Sequence, residues 1–142
     1  MNKQISTEKL YQMLENEQDL EMLSKSYKPI TFDDYFKYLL QKYGRSKNYI
    51  IREACADQRY ARRLFKGEHK ISFDFVVTIG IILGATRHEI NKMLQISQNR
   101  TLYPQYNRDR LILHCIQKEK TLTETNIFLD THGEKILMSK SK

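Results

Sequence analysis

Apolar positions recur every three or four residues along most of this 142-residue chain, which is the spacing of one buried face of an α-helix. An uneven stripe over residues 7–25 predicts an amphipathic helix, and a stripe rich in aromatic residues and leucine over residues 31–43 predicts another. The same periodicity predicts helices over residues 46–54, 57–66, 72–84, 86–96, 108–118 and 121–131. Scarce Gly and Pro favour the same conclusion, an all-α protein.

Residues that begin and end helices stand at the borders of these segments. Ser46, Asp57 and Ser72 are predicted N-caps, because their side chains can accept a free amide of the first turn. Thr86 and Thr121 are each followed three residues later by Glu, the spacing of a capping box. Glycine, which is favoured just after a helix, follows four segments, at Gly44, Gly67, Gly84 and Gly133.

These borders predict four parts of the chain. Residues 1–28 form an N-terminal amphipathic helix, and residues 29–97 form a central helical domain. After a polar connection, residues 98–137 form a C-terminal helical hairpin packed on that domain, and residues 138–142 form a frayed tail. The expected architecture is therefore a helical domain with one helix before it and one hairpin after it.

The helix pairs over residues 72–95 and 107–130 resemble each other at an offset of 35. Identical residues recur at six positions: Asp74 and Asp109, Ile81 and Ile116, Thr86 and Thr121, Glu89 and Glu124, Asn91 and Asn126, Leu94 and Leu129. Two copies are too few for a solenoid. An internal duplication of a hairpin and convergence on a common capped hairpin both remain open.

Composition narrows the choice of partner. A formal net charge of +7 suggests a polyanionic partner, such as nucleic acid or an anionic membrane surface, although an ordinary Lys-rich surface explains it equally well. No apolar run approaches the roughly 20 residues of a membrane span, and the N-terminus lacks the apolar core of a signal peptide. Cys55 and Cys115 form no paired framework, so we expect reduced thiols, a cytoplasmic location and no membrane partner.

Positive charge concentrates between residues 44 and 70, where eight Lys and Arg face three acids. Within this segment, two short helices joined by a tight turn would bury a shared apolar face and expose a basic one. We predict base contacts from one side of the second helix, at Gln58, Arg59, Arg62 and Arg63. We predict phosphate contacts at Arg45, Lys47, Lys66, His69 and Lys70. The plainer alternative is a solvated cationic helix face, although such faces usually intersperse Glu with Lys.

Residues 46–90 resemble the Cro/C1-type (Xre, lambda-repressor-like) helix-turn-helix family over its five-helix pattern, without gaps. Gly67 matches the glycine that closes the family's recognition helix, Ser72 matches the following cap, and residues 82–90 match its later conserved stretch. The resemblance implies a recognition helix over residues 57–66 that enters the major groove of DNA. The chain departs from the family at Cys55, where Gly is usual, at Ala56, where the family has its apolar turn residue, and at Ile71, where Pro is usual.

The remainder of the chain resembles, more loosely, small bacterial helix-turn-helix proteins that carry a C-terminal helical hairpin and have no assigned roles. The matching pieces are Arg59-Tyr60, Phe65-x-Gly67, Leu102-Tyr103-Pro104, Arg108-Asp109, Glu124-x-Asn126 and Gly133. This second resemblance implies no activity of its own.

The sequence shows no pattern typical of a catalytic site or a metal site. The four histidines, His69, His88, His114 and His132, are scattered, with no Cys or carboxylate at ligand spacing. We therefore expect no enzyme activity, no cofactor and no metal. The expected function is sequence-specific regulation of transcription on double-stranded DNA, as a homodimer formed through the N-terminal helix or the hairpin. The alternative is a protein-binding adaptor on a degenerate helix-turn-helix fold, with the C-terminal hairpin as its interaction surface.

Overall fold

The computed structural model describes residues 30–54, 57–67 and 69–137, together with Glu8 and Gln12. The chain divides into two units, Met1–Thr31 and Phe32–Lys142. In the first unit, Glu8 and Gln12 are helical and exposed. The rest of the predicted helix over residues 7–25, and the predicted tail over residues 138–142, lie outside the described residues.

The described part of the second unit is helical and contains no strand, which confirms the predicted all-α class. Its helices are α1 (Phe32–Tyr43), α2 (Lys47–Glu53), α3 (Gln58–Phe65), α4 (Phe73–Leu83), α5 (Arg87–Ile96), α6 (Asn107–Gln117) and α7 (Leu122–Thr131). Within the described ranges, no helix combines the length and the apolar character needed to cross a membrane.

The helices begin where the side chains predicted as caps stand. Ser46, Asp57 and Ser72 accept backbone amides of the first turns of α2, α3 and α4. Thr86 and Thr121 both form complete capping boxes with the Glu three residues later. These predictions depended only on neighbouring residues, and each is confirmed.

Helix α4 is the most deeply buried helix of the described part, with eight of its eleven residues buried. It packs against α1, α2, α5 and α7, so its apolar run is enclosed on most sides. Gly80 allows α5 to come close, since a Cβ atom at this position would lie 2.5 Å from Cγ1 of Ile90. The largest fully buried side chains are Phe36, Phe75, Leu39, Ile50, Leu64, Ile79, Ile90, Met93, Leu94, Ile112, Leu129 and Leu137.

A buried carboxylate joins α1 to α5. Glu89 accepts hydrogen bonds from Lys42 Nζ, from the Tyr43 hydroxyl and from the Thr86 amide. Burial disfavours the charged form of Glu89, but these three donors outweigh that cost and lower its pKa to about 2. Burial and the adjacent carboxylate raise the pKa of Tyr43 to about 12. The end of α1 is thereby fixed on the first turn of α5.

The pairs α4–α5 and α6–α7, which the sequence relates by an offset of 35, are built on the same frame. We call α4–α5 with the segment up to Leu102 hairpin 1, and α6–α7 with the segment up to Leu137 hairpin 2. In hairpin 1, Asn91 Oδ1 accepts the amide of buried Leu102 at 2.9 Å. In hairpin 2, Asn126 Oδ1 accepts the amide of buried Leu137 at 2.7 Å. In both cases the Leu lies eleven residues after the Asn.

The backbone repeats as well. A residue just after the first helix of each hairpin has a positive φ, 79° at Gly84 and 55° at Glu119. The residue after the second helix does the same, with 62° at Gln98 and 77° at Gly133. Convergence on a capped hairpin requires the caps but not the Asn–Leu pairing, so the shared frame favours an internal duplication.

Hairpin 2 is less enclosed than hairpin 1. In α6, Ile112 and Cys115 are buried, but the apolar side chains of Leu111 and Ile116 are only partly buried. The reason is that α6 packs mainly against α5 and α7, whereas α4 has four helices around it.

Candidate nucleic-acid interface

Helices α2 and α3 are short and bury one shared face, as two helices joined by a tight turn must. The buried members of this face are Ile50, Ile51, Ala54, Ala61 and Leu64. Helix α2 packs on both α3 and α4, which holds the pair against the core. Cys55 and Ala56, the turn positions, lie outside the described residues, so the departure at Cys55 stays a sequence observation.

Phe65 anchors the end of α3 in an aromatic cluster. Its ring centroid lies 4.9 Å from that of Phe36, 5.8 Å from that of Phe32 and 6.2 Å from that of Phe75. Aromatic pairs at these separations contribute about 0.5 to 1.5 kcal/mol each beyond their buried area. Because α1 and α4 supply these rings, the rotation of α3 about its axis is fixed, and so is the face that it turns to solvent.

That outward face carries all four predicted base-contacting residues. Gln58, Arg59, Arg62 and Arg63 are exposed on α3, while Ala61 and Leu64 occupy its buried side. No guanidinium of this face lies within 4.0 Å of a carboxylate in the part of the chain that the structure describes. Their hydrogen-bond donors therefore point to solvent, available to an external acceptor.

Among the described residues, Asp57 is the acidic residue at the start of α3, where it is the N-cap. Its Oδ1 accepts the amides of Arg59 at 2.7 Å and Tyr60 at 3.3 Å, which starts α3. These backbone hydrogen bonds, with the nearby charges of Arg59 and Arg63, lower the pKa of Asp57. The carboxylate is thus committed to the cap, and the net charge of the α3 surface is positive.

Three of the predicted phosphate-contacting residues continue this surface. Lys66, at the end of α3, is exposed, and so are His69 and Lys70 beyond Gly67. Gly67 has a φ of 83°, so the chain reverses here in a conformation that favours glycine. Glu68, one of the three acids of the basic segment, lies outside the described residues.

The other two predicted phosphate-contacting residues are engaged within the fold. Lys47 Nζ lies 3.5 Å from Asp33 Oδ1 and 4.3 Å from the centre of the Phe65 ring. The Arg45 guanidinium lies 5.3 Å from the centre of the Tyr49 ring, and Arg45 borders a cleft of about 420 Å³ shared with the α6–α7 turn. Both side chains remain at least partly exposed, but their charged groups contact other side chains of the fold, unlike the guanidinium groups of α3.

Sequence reasoning did not assign a role to Tyr60. Its side chain is 42% exposed between Arg59 and the buried Ala61, and its ring lies 6.1 Å from that of His69. The available signal was the pair Arg59-Tyr60, read only as part of a family resemblance. An exposed aromatic ring beside unpaired guanidinium groups adds an apolar, hydrogen-bonding surface to the basic one.

The described residues contain no group of three or more His, Cys, Asp or Glu arranged to hold a metal ion. Cys115 is fully buried in α6, and burial raises the pKa of its thiol. It is a core side chain.

Comparisons of the chain with family models, with curated proteins and with solved structures find no match. The resemblance to the Cro/C1-type family therefore stays a prediction.

Proposed function

We propose that this protein is a sequence-specific regulator of transcription that binds double-stranded DNA through a lambda-repressor-like helix-turn-helix. In this proposal, α2 and α3 are the helix-turn-helix pair, α3 is the recognition helix, and its N-terminal half enters the major groove. The observation that carries the proposal is the outward face of α3, where Arg59, Arg62 and Arg63 are exposed beside Gln58 without a described acidic partner.

The chemistry of that face suits duplex DNA. Arg can donate two hydrogen bonds to O6 and N7 of guanine, and Gln can pair with N6 and N7 of adenine. Lys66, His69 and Lys70 lie directly after the helix, where they are available to phosphate groups. The order and capped boundaries of α1 to α5 support the five-helix pattern that the sequence predicts.

The test is a titration of the protein against a duplex library with a randomised central region, at several salt concentrations. We expect submicromolar binding, enrichment of one sequence, and a steep fall of log K with log salt, because each phosphate contact contributes about 0.9 to that slope. We expect Arg59→Ala plus Arg62→Ala to weaken binding by at least tenfold, since one lost bidentate pair corresponds to about 1 to 3 kcal/mol.

The matched control is Lys118→Ala plus Lys135→Ala, which removes the same number of charges from exposed positions of hairpin 2. It should leave the enriched sequence unchanged and weaken binding far less. Absence of binding at low salt, or equal losses in the two double variants, would show that α3 is not a recognition helix.

A further inference from the structure

A broad cleft of about 930 Å³ lies between α5 and α6, and none of its lining residues belongs to α2 or α3. Its walls are formed by the first turns of α5, one side of α6 and the segment between the hairpins. The lining residues are Thr86, Arg87, His88, Asn91, Leu102, Pro104, Arg110, Leu113, His114, Ile116 and Gln117.

Every charged or titratable side chain that lines this cleft is basic. Arg87 is exposed and has no ion pair with a described carboxylate. Arg110 donates from Nε to the Pro104 carbonyl at 2.9 Å and from Nη2 to the Gln105 carbonyl at 3.3 Å. Carbonyl groups fix its position but do not neutralise its charge, so neither guanidinium group has a counter-ion among the described residues.

Two neighbouring arginines show the contrast. Arg100 pairs with Asp109, and Arg108 places Nη1 2.9 Å and Nη2 3.0 Å from the oxygens of Asp74. Carboxylates of α6 and α4 therefore neutralise Arg100 and Arg108. No described carboxylate forms an ion pair with Arg87 or Arg110, which border the cleft.

The repeat identifies one more free donor. In hairpin 2, Asn126 uses both atoms of its amide, because Oδ1 accepts from the Leu137 amide and Nδ2 donates to the Leu137 carbonyl at 3.3 Å. In hairpin 1, Asn91 uses only Oδ1, on Leu102. Asn91 lines the cleft, and its Nδ2 group has no hydrogen-bond partner among the described residues.

The remaining surface is apolar, with Leu102 buried and Leu113 and Ile116 partly buried beneath the polar rim. Along α6, the face from Arg110 to Gln117 spans about 10 Å, at a rise of about 1.5 Å per residue. The cleft thus offers two separated positive charges, an amide donor and an apolar floor over a length that suits an extended peptide.

We propose that the cleft between α5 and α6 binds an acidic segment of a partner protein, in which carboxylate and aliphatic side chains alternate. Carboxylates pair with Arg87 and Arg110, the aliphatic side chains lie on Leu113 and Ile116, and Asn91 Nδ2 donates to a backbone carbonyl. A small anion would satisfy one guanidinium but would leave the floor uncovered, which favours a peptide. This interaction is independent of DNA binding by α3.

The test uses a displayed library of seven-residue peptides, randomised over Asp, Glu, Asn, Gln, Leu and Ile, selected against the full chain at low salt. We expect enrichment of Asp and Glu over Asn and Gln, alternating with Leu or Ile. The best peptide should lose at least tenfold in affinity for Arg87→Gln plus Arg110→Gln. The Lys118→Gln plus Lys120→Gln variant, with an equal loss of charge, should bind it as the unaltered chain does.

Arg87→Gln alone separates binding from folding, because Arg87 is exposed and makes no described hydrogen bond. This variant should bind the peptide measurably more weakly, while the thermal unfolding midpoint of the protein stays constant. No enrichment of acidic residues, or unchanged affinity in both arginine variants, would overturn the proposal. Displacement of the peptide by glutarate at a similar concentration would also overturn it, in favour of a small-anion site.

Discussion

Hairpin 1 and hairpin 2 have the same frame but different interiors. Where hairpin 1 has Gly80 against Ile90, hairpin 2 has Cys115 and Thr125 at the positions 35 residues later. Compared with hairpin 1, hairpin 2 therefore has a larger residue in its first helix and a smaller residue in its second helix at these positions. The caps and the Asn–Leu pairing fix the path of the chain, while the side chains between them adjust to their surroundings.

The largest loss of stability should come from replacing Gly80 in hairpin 1 with Cys, the residue type that hairpin 2 has at the equivalent position. Gly80→Cys should lower the free energy of unfolding by about 3 kcal/mol, because the added atoms overlap the Ile90 side chain. With Ile90→Thr present as well, the loss should be at least about 1 kcal/mol smaller than the sum of the two single losses. Urea denaturation of the four proteins measures this coupling. If the two single losses added up to the loss in the double variant, the residues at positions 80 and 90 would not be coupled through their packing.

The second comparison concerns the two capping boxes. Glu89→Gln should lower the free energy of unfolding by about 2 kcal/mol, because a buried acceptor for Lys42 and Tyr43 loses its charge. Glu124→Gln should leave stability nearly unchanged, since Glu124 is exposed and Gln preserves the box. Urea denaturation at pH 7 checks both values.

Low pH should reduce the difference in stability between the unaltered chain and the Glu89→Gln variant. Its pKa lies at about 2 in the fold, below its ordinary value of 4.5, so its charge stabilises the fold fully above about pH 5. That contribution is lost as the pH falls from 4.5 towards 2. The gap in stability between the unaltered chain and Glu89→Gln should therefore shrink over this interval, and a constant gap would contradict the assigned hydrogen bonds.

The smallest expected effect is the difference in stability lost when the Asn of each Asn–Leu pair is replaced. Asn126→Ala should cost about 2 kcal/mol and Asn91→Ala about 1 kcal/mol, because the first loses two hydrogen bonds and the second one. Hydrogen exchange at the Leu137 and Leu102 amides, together with urea denaturation, would show the difference. Asn107→Ala, which removes an exposed hydrogen bond to Glu134, serves as the control. Equal losses at the two pairs would mean that the Nδ2 bond of Asn126 contributes nothing.

The sequence was sufficient for features that depend on neighbouring residues. Helix starts at Ser46, Asp57 and Ser72 are local events, and the exposed basic side of α3 follows from helical spacing around Ala61 and Leu64. The repeat offset was also visible in the sequence, although its physical basis in Asn126 and Leu137 was not.

Features that depend on distant residues could not be predicted. Lys47 was expected at phosphate, but α1 supplies Asp33 and α3 supplies the Phe65 ring. The partner of Arg108 is Asp74, 34 residues away. Such pairings depend on how the helices pack, which the period of a single helix does not report.

The connection between α5 and α6, residues 97–106, has the polar composition of a flexible linker, yet it is held at several points along its length. Leu102 is buried, the Tyr103 amide donates to Asp109, and Arg110 donates to the carbonyls of Pro104 and Gln105. Each of these contacts removes freedom that a linker would retain. The segment is therefore a spacer anchored to both hairpins, and these contacts set the distance between them.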